Sequence, residues 1–240
     1  VVLTRAREDN APLAQALAAR GVPTLEIPCL ETRFLHPGAL PPPADALLFT
    51  SRRGVQGLTL LPDARAFVHG HPLVAAVGPS TAALLAGWGR PPHVVADPPR
   101  GDVLARDLLR AGRLGAGSTA NVVRGNLRAS GLDETLAAAG VVVTSVVVYQ
   151  NVEPPIPALA PHHVAAVLVA SPSAGQRLLV ANPWLRSALF LAVGGTTGRA
   201  LRDLGVARVV DAGPTPDLWI DASCTAYREA AAHPPVEGTP

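Results

Sequence analysis

The chain contains no lysine: all 20 of its Lys-plus-Arg positions are arginine. That excludes Schiff-base and pyridoxal phosphate chemistry and the Walker A loop, each of which needs a lysine amine. Cysteine is scarce. Cys29 and Cys224 stand far apart with no CxxC partner, so neither a disulfide framework nor a zinc site is expected, and a reducing cytoplasm suits the chain. Methionine is absent; Val1 is therefore not expected to be a translation start, and the segment can belong to a longer fusion. No charged and apolar leader opens the chain, and no apolar run is long enough to span a bilayer, so a membrane is not an expected partner. Charged residues are only 16% of the chain and the net charge is +2. The arginines form no run and no aromatic interleaving, which argues against nucleic acid as a partner. The pairs His69/His71 and His162/His163 sit in proline- or glycine-rich loop sequence without convergent carboxylates. They read as solvated, and no metal is expected. A GxSxG elbow, a Ser-His-Asp set and a GxGxxG after a strand are all missing.

What is present is apolar content, 48% of 240 residues, enough for a substantial core. Short buried-type strands alternate with amphipathic helices. Val1–Leu3, a helix over Pro12–Arg20 and a strand over Val22–Leu30 make a first βαβ unit. Ala46–Phe49, Leu73–Val77, Asn121–Val123, Val141–Gln150, Val164–Val169 and Leu189–Val193 read as further strands, with helical sequence between them. Two proline-rich passages, His36–Pro43 and Glu153–Pro161, interrupt the pattern, and the tail HPPVEGTP reads as disordered. The alternation predicts an α/β fold of open parallel sheets with helices on both faces.

The halves repeat one another. Gly78-Pro79-Ser80-Thr81 after Leu73–Val77 is echoed by Gly194-Gly195-Thr196-Thr197 after Leu189–Val193, where Thr196 or Thr197 can cap the following helix. Thr50-Ser51 is echoed by Ala170-Ser171, Asp102 by Asp217, Arg5 by Arg124 and Gly21 by Gly140. The pattern predicts two similar lobes joined by a two-stranded connection. Residues 1–33 with 153–240 would form a discontinuous lobe and 34–152 an inserted one, with a ligand cleft where strand ends of both face each other.

Either turn alone is an ordinary strand-to-helix corner. Occurring twice, and joined by Ser51, Ser171-Pro172-Ser173 and Thr215, they read as a lining of hydroxyls and amides for an anion. Arg5 and Arg124 are surface arginines or carboxylate partners. Tyr149, ending the long VVV run, is a strand aromatic or a phenol able to donate a proton.

The ordered set of short motifs resembles the uroporphyrinogen-III synthase family over nearly the whole chain. It runs TR at Thr4-Arg5, FTSxxGV at Phe49–Val55, AVGPST at Ala76–Thr81, RGN at Arg124–Asn126, VVVYQ at Val146–Gln150, SPSA at Ser171–Ala174, VGGTT at Val193–Thr197 and PTPD at Pro214–Asp217. The resemblance implies an enzyme without cofactor; the sequence is compatible with a cytoplasmic monomer and leaves the oligomeric state open. Its small-molecule substrate would be hydroxymethylbilane, closed to uroporphyrinogen III with inversion of ring D through an azafulvene and a spiro intermediate. It implies Tyr149 as the group assisting departure of the hydroxyl. Arg5, Ser51, Gly78, Ser80, Thr81, Arg124, Gly125, Asn126, Ser171, Ser173, Gly194, Thr196, Thr197 and Thr215 would hold the substrate. Gly195, Ala170 and Ala6 depart from the family pattern, where proline, threonine and proline are usual. A non-catalytic two-lobed binder of an anionic small molecule is the alternative.

Overall fold

The computed structural model describes residues 1–126 and 131–232, so the tail from His233 lies outside the described residues. Along the chain, β1 (Val2–Leu3) is followed by α1 (Arg7–Ala18), β2 (Leu25–Glu26) and β3 (Glu31–Phe34). The middle segment holds β4 (Ala46–Phe49), α2 (Arg52–Thr59), α3 (Ala64–His69), β5 (Leu73–Ala76), α4 (Pro79–Gly87), β6 (Val94–Val95), α5 (Gly101–Arg110), β7 (Thr119–Gly125), α6 (Leu132–Ala138) and β8 (Val142–Val152). Then come β9 (Val167–Val169), α7 (Pro172–Ala181), a 3-10 turn at Pro183–Ser187, β10 (Leu189–Ala192), α8 (Gly195–Asp203), β11 (Arg208–Asp211) and α9 (Pro216–Ala232).

The chain divides into two compact units, Val1–Glu31 with Val152–Pro240, and Thr32–Asn151. In the first unit the strand order is β11-β10-β9-β1-β2, with all four pairings parallel. In the second it is β3-β8-β7-β4-β5-β6, and the pairs β4–β5, β4–β7, β5–β6 and β7–β8 are parallel. Matching β9, β10 and β11 to β4, β5 and β6, and β1 and β2 to β7 and β8, superposes the two orders. The sequence repeat is therefore a repeat of topology.

Each sheet is apolar on both faces because helices cover both. In the second unit, Ala46 and Leu48 of β4 pack with Leu104 and Leu108 of α5 and Leu132 and Leu136 of α6. The alternate residues Leu47 and Phe49 pack with Val55 and Leu58 of α2 and Leu85 of α4. In the first unit, Val2, Val167 and Phe190 meet α7 and α8 through Leu178 and Leu201. Leu3, Leu168 and Leu191 meet α1 and α9 through Leu17 and Ile220.

Three expectations change. Val22–Leu30 pairs as a strand only at Leu25–Glu26, because Pro23 and Pro28 remove amide donors on either side. Helix α3 and the 3-10 turn were not foreseen in the alternation. His71 is not solvated: it is buried, its ring edge-on to Phe67 at 4.7 Å. Nδ1 donates to the Phe67 carbonyl at 2.7 Å, and Nε2 accepts from Asn121 Nδ2 at 2.9 Å. The Asn121 amide is fixed in that sense, since Nδ2 also donates to the Pro42 carbonyl at 3.0 Å.

Burial, and then the Arg90 charge, hold the His71 imidazole below its ordinary range, against the raising effect of the Phe67 bond. Because its folded value is depressed, the unfolded chain binds the proton more readily. Stability attributable to His71 is therefore complete above about pH 6.5 and is lost as pH falls below that. The urea midpoint is expected to drop between pH 7.5 and 5.5, and the drop to be smaller in His71→Gln. Parallel pH profiles for the two proteins would remove this assignment.

Candidate active site

In each unit the strand order reverses direction once, between β4 and β7 and between β9 and β1. Ligands of open parallel sheets collect outside the carboxyl ends of strands at such reversals. Those ends carry Ser51 and Arg124-Gly125-Asn126 in the second unit, and Ser171 and Arg5 in the first.

Ser51 and Ser171 are matched N-caps. Both backbones are extended, φ −162°, ψ 160° and φ −149°, ψ 152°. Ser51 Oγ accepts from the Gly54 amide at 3.1 Å and Ser171 Oγ from the Ala174 amide at 3.3 Å, so each starts its helix, α2 and α7. Ser171 Oγ also lies 3.3 Å from Ser173 Oγ. Gly78 and Gly194 form the second matched pair, with φ 87°, ψ 160° and φ 85°, ψ 155°. That left-handed backbone favours glycine.

The glycine turn overturns the expected cap of α8. Gly194, not Thr196 or Thr197, is the N-cap, and no side chain caps the helix. Its carbonyl instead accepts from the Gly198 amide at 3.1 Å. Thr197 and its counterpart Thr81 are turned inward and buried, while Thr196 and Ser80 are exposed at the helix starts. Pro79 stands at the first position of α4, where its missing amide costs nothing; Gly195 holds that position in α8.

One more regularity links the four turns. Helices α2, α4, α7 and α8 carry no acidic residue in the first turn. Helices α1, α5, α6 and α9, on the opposite faces, begin with Glu8 and Asp9, with Asp102, with Asp133 and Glu134, and with Asp217. The positive ends of the first four thus have no carboxylate within their own first turns. At α2 the first turn even adds Arg52 and Arg53, against the helix dipole. Sequence reading missed those two arginines, although two consecutive cations directly after an N-cap serine were the available signal.

The two strand-end arginines differ. Arg5 is half-buried, its Nη2 3.4 Å from Asp9 Oδ2 and its guanidinium 5.0 Å from the centre of the Trp219 ring. Arg124 is 2% exposed and turned inward. Its Nη2 donates to Asp133 Oδ2 at 2.8 Å and to Ser145 Oγ at 2.5 Å, so the carboxylate it pairs with is the chain's own. Thr215 is exposed just ahead of α9.

Tyr149 is brought to Ser51. Its hydroxyl lies 2.9 Å from Ser51 Oγ. Gly125 lies under the ring, and Asn126 closes the strand end: its amide donates to the Tyr149 carbonyl at 3.0 Å, and its Oδ1 accepts from the Asn151 amide at 3.2 Å. A half-buried phenol beside a serine at the start of α2 can pass a proton to a leaving group.

The family model described as uroporphyrinogen-III synthase HemD matches residues 11–221. The chain belongs to the uroporphyrinogen-III synthase family. This synthase family consists of cyclising lyases of haem biosynthesis, and that is the chain's function. Solved structures share its fold. A mutant uroporphyrinogen III synthase from the extremely thermophilic bacterium Thermus thermophilus is 19% identical with a TM-score of 0.58, over 95% of this chain and 98% of that one. Uroporphyrinogen-III synthetase from Helicobacter pylori is 19% identical with a TM-score of 0.60, over 88% and 93%. Among curated proteins, none matches this synthase significantly in sequence. No helix among its described residues is long and apolar enough to cross a membrane.

Proposed function

We propose that this synthase closes hydroxymethylbilane with Tyr149 as proton donor and the four acid-free helix starts as carboxylate seats. The C–O bond of the hydroxymethyl group breaks with its electron pair on oxygen, which takes the Tyr149 proton and leaves as water. The resulting azafulvene is attacked by ring D to form the spiro intermediate, which fragments and recloses. The proton released as the final ring regains aromaticity returns to the phenolate, so the net change is loss of one water.

The observation carrying this reading is that helix starts free of acids recur at matched positions in both units, at Ser51, Gly78, Ser171 and Gly194. A substrate bearing eight carboxylates is attracted by such ends through exposed amides and hydroxyls. Exposed Ser80, Ser173, Thr196 and Thr215, with Arg5, are the side chains that meet it. Buried Thr81 and Thr197 shape the turns instead, and Arg124 holds the end of β7. Since the azafulvene is reactive by itself, most of the work is orientation of ring D. The enzyme acts in the cytoplasm, a reading supported by two buried free thiols, Cys29 and Cys224.

Incubation with hydroxymethylbilane, followed by oxidation and isomer separation, tests the reading. Isomer III is expected, since uncatalysed closure yields isomer I. Isomer I alone from folded protein overturns it.

A further inference from the structure

Strand order makes the Tyr149–Ser51 contact a demanding one. Tyr149 is on β8 and Ser51 follows β4, and β7 lies between them. The two outer strands are therefore about 9.5 Å apart, so the phenol has to cross β7 to reach the serine. It crosses at Gly125. A Cβ at Gly125 would lie 2.5 Å from Tyr149 Cε2, 2.6 Å from Cζ and 3.0 Å from Oη, the first two closer than real Cβ contacts come, so the ring would have to shift. The register between β7 and β8 shifts at this point: Arg124 pairs with Val147, but Gly125 pairs with Tyr149. That irregularity sets the ring directly beside the glycine.

The serine is constrained as well. Ser51 Oγ already accepts from the Gly54 amide, so toward Tyr149 it either donates its own proton or accepts the phenol's. Only the first arrangement leaves the phenol proton available to a substrate, and in it a hydroxyl polarised by the start of α2 supports the oxygen that becomes phenolate.

We infer that Ser51 and Gly125 are positioning residues for Tyr149: Gly125 is the saddle its ring lies across, and Ser51 orients its hydroxyl. The inference rests on the reading of Tyr149 as proton donor. Its seating can be tested separately from that reading.

The chain has two tyrosines, Tyr149 and Tyr227, so fluorine NMR of the 3-fluorotyrosine-labelled protein gives two lines, assigned with Tyr149→Phe. Ser51→Ala and Gly125→Ala are each expected to move the Tyr149 line, with a cooperative urea transition of that line as evidence that the Thr32–Asn151 unit is still folded. Ser51→Thr restores the line. In kinetics, Ser51→Ala lowers kcat about tenfold, as expected from one lost hydrogen bond, and Gly125→Ala about 10²-fold through misplacement, with KM little changed. In a Tyr149→Phe background both losses shrink below about twofold, because groups acting as a unit are not additive. A Tyr149 line unmoved in both variants overturns the seating. Equal losses in the two backgrounds overturn the positioning role. Full turnover by Tyr149→Phe, with the line still moving in Ser51→Ala, instead overturns the proton-donor reading and leaves the seating standing.

Discussion

Tyr149→Phe is expected to lower kcat for hydroxymethylbilane closure by about 10²-fold or more, the scale of a positioned general acid. Phenylalanine keeps the ring that lies over Gly125 and removes only the oxygen 2.9 Å from Ser51 Oγ. The fold therefore loses about 1 kcal/mol, one hydrogen bond's worth, and the thermal midpoint moves little. KM is expected to change less than kcat, because the substitution leaves the amides of the helix starts that seat the carboxylates in place. Product analysis adds an independent check. As the catalysed rate falls toward the uncatalysed one, the share of isomer I rises. A variant with wild-type kcat and pure isomer III removes Tyr149 from the chemistry.

The largest effect on stability is expected at Arg124. Its side chain is 2% exposed and that of Asp133 15%, so the pair is shielded from water. Removing one partner of a buried pair leaves the other charge desolvated, which costs about 3–5 kcal/mol. Asp133→Leu, which leaves the Arg124 guanidinium buried beside Ser145, should lose that much in urea unfolding, a large part of a domain's total stability. Replacing both by leucine should recover most of it, since a well-packed apolar pair often matches a buried ion pair. If Arg124→Leu instead folds as well as wild type and only binds substrate less tightly, then its guanidinium serves the ligand and not strand β7.

Much of this was legible in the residues. Ser51 and Ser171 are legible as matched residues between a strand and a helix, and the structure makes both of them helix caps. Gly78 and Gly194 stand where only glycine is comfortable, and their near-equal dihedrals are the repeat expressed in geometry. What was illegible depends on partners distant in sequence. An arginine at a strand end faces inward or outward according to whether an acid such as Asp133 waits on the neighbouring helix. Nothing near His71 reveals that Asn121, on β7, will accept its company. The family motif at 124–126 quotes Gly125 without saying why. Its reason lies in strand order, which sets Tyr149 and Ser51 on either side of it.

The interleaved order of the first unit also has a consequence for how the protein is made. Strand β1 lies between β2 and β9, and Thr4 donates through Oγ1 to the Leu168 carbonyl, 164 residues away. On the ribosome the Thr32–Asn151 unit is complete while β1 still presents a bare edge. That edge stays open until β9 is translated. During that interval the nascent chain depends on whatever shields β1 from pairing with a stranger, so folding of the first unit waits on the last third of synthesis.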